Sequence, residues 1–153
     1  MASLAIRAVA MLPVVLTGSA CRERADTRLQ PDEVLQAELG LTLDDRVHRV
    51  RITGGGVERA DPPETTLTPG AYVEFMTGDW LIHEVVFEED SLSAEQRAFL
   101  ARTDQLASPP LIERDGRYVL SFEGAPLGRY VYRLEGNGRA GRGVIVVAAP
   151  GPA

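Results

Sequence analysis

The sequence predicts an all-β fold, a sandwich of about seven to eight short strands with a short N-terminal helix and a helical insert near 94–105. Three observations predict it. From Arg46 onward the apolar residues recur with a period of two, as in VHRVRI, AYVEF and RYVYRL, which puts one set of side chains on a buried face. Turn signals separate these runs: GGG at 54–56, Pro69-Gly70, Gly78-Asp79, Asp115-Gly116 and the glycine-rich GNGRAGRG. At 153 residues, with 44% hydrophobic and 25% charged residues, the chain has the size and balance of one domain able to bury a core.

The first twenty residues stand apart. A lone early charge, Arg7, precedes the apolar run AVAMLPVVLT and then the small residues GSA. This is the pattern of a signal peptide over 1–20, too short to span a membrane comfortably. The only cysteine, Cys21, follows at once, so no disulfide can form within the chain. The run LTGSAC resembles a bacterial lipoprotein signal, with Ser19 and Ala20 in place and Gly18 where such signals favour leucine. That resemblance implies a lipid on Cys21, a mature chain starting there, and attachment to a membrane surface without a spanning helix. The other processing is cleavage after Ala20 that leaves a free thiol. Either way the protein is expected to be exported, to the periplasm or cell envelope.

Residues 21–30 are expected to be a polar tether, 31–148 the sandwich domain and 149–153 a loose tail. Pro31, Asp32 and Glu33 suit the first turn of a helix that Gly40 ends, with Val34, Leu35 and Leu39 packing on an edge of the sandwich. The next strand places His48, Val50 and Ile52 on one face. Asp61-Pro62-Pro63 interrupts pairing, and Thr68-Pro69-Gly70-Ala71 fits a type II turn. Val73 and Phe75 point inward, as do His83, Val85 and Phe87 in WLIHEVVFEEDSL. Ser93 and Gln96 have capping-box spacing and open the helical insert. Asp115-Gly116 signals a hairpin between two strand-like runs. Tyr118, Leu120 and Phe122, then Tyr130, Tyr132 and Leu134, supply the later inward sets.

The order of these pieces resembles the cupredoxins, the plastocyanin and azurin class of blue copper proteins. HEVVFEEDSL matches the run that carries the first copper-binding histidine of that family, and APLGRYVYRLEG matches the segment before its copper loop. The likeness runs from about Arg46 to Val147 and implies a Greek-key sandwich. It also implies a copper site of two histidines, a cysteine thiolate and a weak axial methionine. His83 takes the first histidine place. The other three places fall in a loop within 134–142, where Leu134 stands for the cysteine, Asn137 for the second histidine and Arg142 for the methionine. Leucine has no donor atom, and arginine repels a cation. His83 is therefore the only metal-ligand position retained, Leu134, Asn137 and Arg142 are not expected to bind, and no cofactor is expected where the family holds copper.

Other chemistry finds little support. The formal net charge is −6, lysine is absent and the arginines are scattered among acids, which argues against nucleic-acid binding. Gly136, Gly138 and Gly141 spell GxGxxG, but a β-branched run follows rather than the helix a dinucleotide needs. Arg139 and Arg142 in that segment suit an anion or a solvated loop. Glu88, Glu89 and Asp90 form an acidic bend in the run that holds His83, and no nucleophile–base pair or HExxH spacing appears. The expectation is a non-enzymatic, exported and lipid-anchored module that has lost type 1 copper and serves in binding or structure. Its partner would be an unknown protein or small ligand. The rival is a plastocyanin-type electron carrier that holds copper through His83 and unidentified donors.

Overall fold

The structure, a computed structural model, describes residues 27–151. The signal segment, Cys21, the first part of the expected tether and the last two residues lie outside them. Eight strands form two four-stranded sheets, and the chain is a β-sandwich. The strands are β1 (Val47–Thr53), β2 (Arg59–Asp61), β3 (Glu64–Leu67), β4 (Tyr72–Thr77), β5 (His83–Phe87), β6 (Arg117–Ser121), β7 (Gly128–Gly136) and β8 (Gly141–Val147). One sheet has the order β2-β1-β4-β6 and the other β3-β8-β7-β5. Both are mixed: β1 runs parallel to β4 and β3 parallel to β8, while the other pairs are antiparallel. Among the described residues no helix is long and apolar enough to cross a membrane.

The inward residues read from the two-residue period form the core between the sheets. Val50, Ile52, Val73, Phe75, Val85, Phe87, Leu120, Phe122, Tyr130, Tyr132 and Leu134 are all buried in one cluster. Its aromatic rings meet edge to face, Phe75 against Tyr132 at 5.1 Å and Phe122 against Tyr130 at 5.4 Å, the arrangement favoured by the ring quadrupole. Tyr130 donates its hydroxyl proton to the Pro126 carbonyl at 2.7 Å, and burial pushes this phenol up to about 12.

Two helices flank the sandwich. Helix α1 (Glu33–Leu39) starts at Asp32, whose carboxylate accepts from the Leu35 N–H, and stops at Gly40, which takes the left-handed conformation (φ 67°) open to glycine. It lies on a sheet face and not on an edge, because Leu35 packs with Val47 of β1, Tyr72 of β4 and Val119 of β6. Val34 and Leu39 stay exposed. Under the helix Glu74 is fully buried between Arg49 (2.9 Å) and Arg117 (2.8 Å), and Arg117 also reaches Asp32 at 2.7 Å. Arg49 donates further to the carbonyls of Arg28 and Gln30. The stretch expected as the end of a tether is thus held to β1 from residue 28 onward.

Helix α2 (Ala94–Arg102) carries the capping box of Ser93 and Gln96 in full. It ends three residues earlier than the spacing predicts, at Arg102 with Thr103 as its cap, because Asp104 takes a positive φ of 55° and Gln105 turns to a different task. The Gln105 side chain caps the free edge of β6, accepting from the Ser121 N–H at 2.7 Å and donating to its carbonyl at 3.0 Å. The segment that follows covers the edge of β5: His83 and Leu111 exchange both backbone hydrogen bonds, and Ser108 bonds to Val85. This corrects the hairpin expected at Asp115-Gly116. The run before that turn pairs with β5 in one sheet, and the run after it is β6 in the other, so the turn carries the chain between sheets.

Candidate functional site

The site gathers at one end of the sandwich, where β1 leaves its sheet and β5 begins. His83 opens β5 on the inward parity and is fully buried. Its cross-strand partner on β7 is Gly136. Both ring nitrogens are engaged. Nδ1 lies 2.6 Å from Oε2 of Glu58, and Nε2 lies 2.7 Å from Oδ1 of Asp79. Between two ionised carboxylates both of these hydrogen bonds are donated by the ring, and a ring nitrogen that donates offers no lone pair to a metal.

Each carboxylate is itself fixed. Asp79 occupies the turn between β4 and β5, and its oxygens accept from the Gly54 N–H at 2.8 Å and the Leu81 N–H at 2.9 Å. Burial alone would raise the Asp79 carboxyl, but the Gly54 N–H, His83 and the Leu81 N–H together hold it down at about 2. Glu58 is only 1% exposed. Its backbone N–H donates to the Arg139 carbonyl at 2.9 Å, and its Oε1 accepts from the Gly138 N–H at 3.3 Å.

Glycines make the space for Glu58. A Cβ on Gly136 would stand 2.7 Å from Glu58 Oε1, one on Gly54 would stand 3.1 Å from it, and one on Gly141 would stand 1.9 Å from the Glu58 carbonyl oxygen. This assigns the two glycine motifs of the sequence. GGG at 54–56 and the GxGxxG of 136–141 meet across the end of the sandwich, where Arg139 N–H donates to the Gly56 carbonyl. They form a cradle for a glutamate, and β8 follows where a dinucleotide site needs a helix.

The three positions paired with His83 by resemblance go to different places. Leu134 is fully buried in β7 opposite Val85, with no donor atom to give. Asn137 stands near His83, and its Oδ1 accepts from the Ile82 N–H at 3.0 Å. Arg142 lies in β8 on the outer face, paired with Arg133 across the ladder and ion-paired with Glu88 at 2.9 Å through Nε. Residues 134–136 and 141–142 are ladder residues, which leaves only 137–140 as loop.

The acidic bend and the second histidine are both remote from His83. Glu88, Glu89 and Asp90 lie beyond the far end of β5, five or more residues along a strand that rises about 3.3 Å per residue. His48 pairs with Val73 near the start of β1, whereas the residue of that segment that touches His83 is Gly54, past its end. Burial and the nearby Arg46 lower the pKa of His48.

Blue copper requires a thiolate and free imidazole nitrogens, and the side chains around His83 supply two carboxylates instead. Among the described residues no group of three or more His, Cys, Asp or Glu side chains is disposed to hold a metal ion. The donor set does not fit the copper that the resemblance implies.

No protein-family model matches the chain, and no curated protein matches it. Among solved structures it is similar to amicyanin. The Paracoccus versutus protein is 19% identical with a TM-score of 0.46, over 72% of this chain and 87% of that one. A reduced Cu(I) amicyanin at pH 4, with a proline replaced by glycine, is 21% identical with a TM-score of 0.47, over 68% of this chain and 84% of its own. A Cu(I) form with a methionine replaced by alanine is 20% identical with a TM-score of 0.45, over 67% and 82%. Likeness at this distance says nothing of metal or activity in this chain.

Proposed function

We propose that this chain is an exported, lipid-anchored module with a cupredoxin-like sandwich that has lost type 1 copper and acts by binding or as a structural domain, without enzymatic activity. The observation that carries the reading is His83, the one retained ligand position, with both ring nitrogens bonded to buried or partly buried carboxylates at 2.6 and 2.7 Å. Leu134 supports it, since a buried aliphatic side chain stands where a thiolate would be needed. The signal-like first twenty residues and Cys21 support export to the periplasm or cell envelope and attachment to a membrane surface.

The test is a Cu(II) titration of the purified protein, followed by binding heat and visible absorption. The expected result is no stoichiometric uptake and no intense thiolate-to-copper band. Tight binding of one equivalent, or such a band, would establish the rival reading of a copper carrier. Anchoring is tested apart from this: Cys21→Ser is expected to move the protein from the membrane fraction to the soluble one, and unchanged partitioning refutes the lipid.

A further inference from the structure

Glu58 is a side chain for which this end of the fold makes room. Its carboxylate and backbone are approached by three glycines, Gly136 and Gly141 with no room for a Cβ beside it and Gly54 with little, and it reaches His83 from a segment twenty-five residues earlier. On the other side of the ring, Asp79 accepts from Nε2. That is the arrangement by which metal sites orient a histidine: a carboxylate takes one ring N–H, fixes the ring plane and raises the basicity of the other nitrogen. The other nitrogen here is Nδ1, and Glu58 Oε2 stands 2.6 Å from it. A cation bound to Nδ1 would have to occupy the place of that oxygen.

We infer that Glu58 is a built-in plug: it fills the coordination place of an otherwise metal-ready histidine, and replacing it reopens His83 to a divalent cation. This deepens the reading of a lost copper site and rests on it. The two ring nitrogens are met by the carboxylates of Glu58 and Asp79, and Gly54 approaches the ring carbon between them. Exchange of Glu58 for histidine, a side chain of similar volume, replaces an acceptor of the Nδ1 proton with a second imidazole facing the first.

The full protein, Glu58→His and the double variant Glu58→His/His83→Phe are titrated with Cu(II), with binding heat and paramagnetic loss of the His83 ring signals as readouts. The unsubstituted protein is expected to show neither. Glu58→His is expected to bind one equivalent and to lose its His83 signals, and the double variant is expected to lose that equivalent again. Glu58→Ala, titrated with Cu(II) and free imidazole, provides the same opening without a new side chain. A protein that already binds copper at His83 overturns both the proposed function and the plug. A silent protein with folded, silent Glu58 variants overturns the plug alone. Failure of both variants to fold also counts against it, because the inference holds that the cradle accepts another occupant.

Discussion

At the scale of single residues, the account rests on an imidazole bonded to two carboxylates. A buried polar group left without its partner costs more than the hydrogen bond contributes. Glu58→Ala, which leaves Nδ1 unpaired while Asp79 keeps Nε2, is therefore expected to lower stability by about 1–3 kcal/mol, measured as a shifted urea midpoint. A loss below about 1 kcal/mol would mean that Glu58 does not hold the ring, since that is the scale of an exposed pair. Asp79 gives a pH signature. Its folded pKa is depressed from 3.8 to about 2, so its contribution is present above the ordinary carboxylate range and is lost as pH falls through the folded value. Stability is expected to fall between about pH 4 and pH 2, and Asp79→Asn is expected to flatten that part of the profile. His83 itself was legible in the sequence, because strand alternation puts it with Val85 and Phe87. Its partners were not. Asp79 reads as a turn residue, and Glu58 follows a glycine run in a segment with no period. The approach of 54–58 to 136–141 is a tertiary contact that no local pattern encodes. The one trace of it is the density of glycine in both segments, which marks a close approach without naming what approaches.

At the scale of elements, packing decides where each strand and helix goes. Gly141 opens β8 directly over the Glu58 carbonyl, and a Cβ there would sit 1.9 Å from a backbone oxygen that has no room to give. Gly141→Ala is expected to cost at least the upper end of about 1–3 kcal/mol, or to prevent folding, read by thermal unfolding. Asp32 both caps α1 and pairs with Arg117, which together hold it below the ordinary carboxylate range against the effect of burial. Asp32→Ala is expected to cost about 1 kcal/mol, a typical cap, with hydrogen exchange rising first in α1. The same scale explains two departures from the sequence expectations. The Asp115-Gly116 signal is a true turn, but Leu111 before it is taken by the open edge of β5. The resemblance puts Leu134 and Arg142 in a loop within 134–142, yet the ladder of β7 with β8 continues through both and shortens the loop to 137–140.

At the scale of the whole molecule, one large core joins the sheets and a small second cluster pins the N-terminal segment to the outside of one of them. Leu35 is the hinge of that second cluster, buried against Val47, Tyr72 and Val119, which belong to three different strands. Leu35→Ala is expected to cost about 2–5 kcal/mol and to lower the midpoint seen by the core aromatics and by the backbone together. Midpoints that separate would show that the N-terminal segment unfolds by itself. The sandwich was legible because periodicity and turn signals agree along the chain, whereas the docking of α1 on a sheet face depends on Glu74, a charged residue inside an apolar run that only Arg49 and Arg117 make tolerable. The central claim is that His83 is closed to metal by Glu58 and Asp79. Its most direct test is the nitrogen-15 spectrum of the His83 ring as Cu(II) is added in excess. Two protonated ring nitrogens whose signals stay sharp are the predicted result, and an Nδ1 that loses its proton and broadens with copper would contradict it.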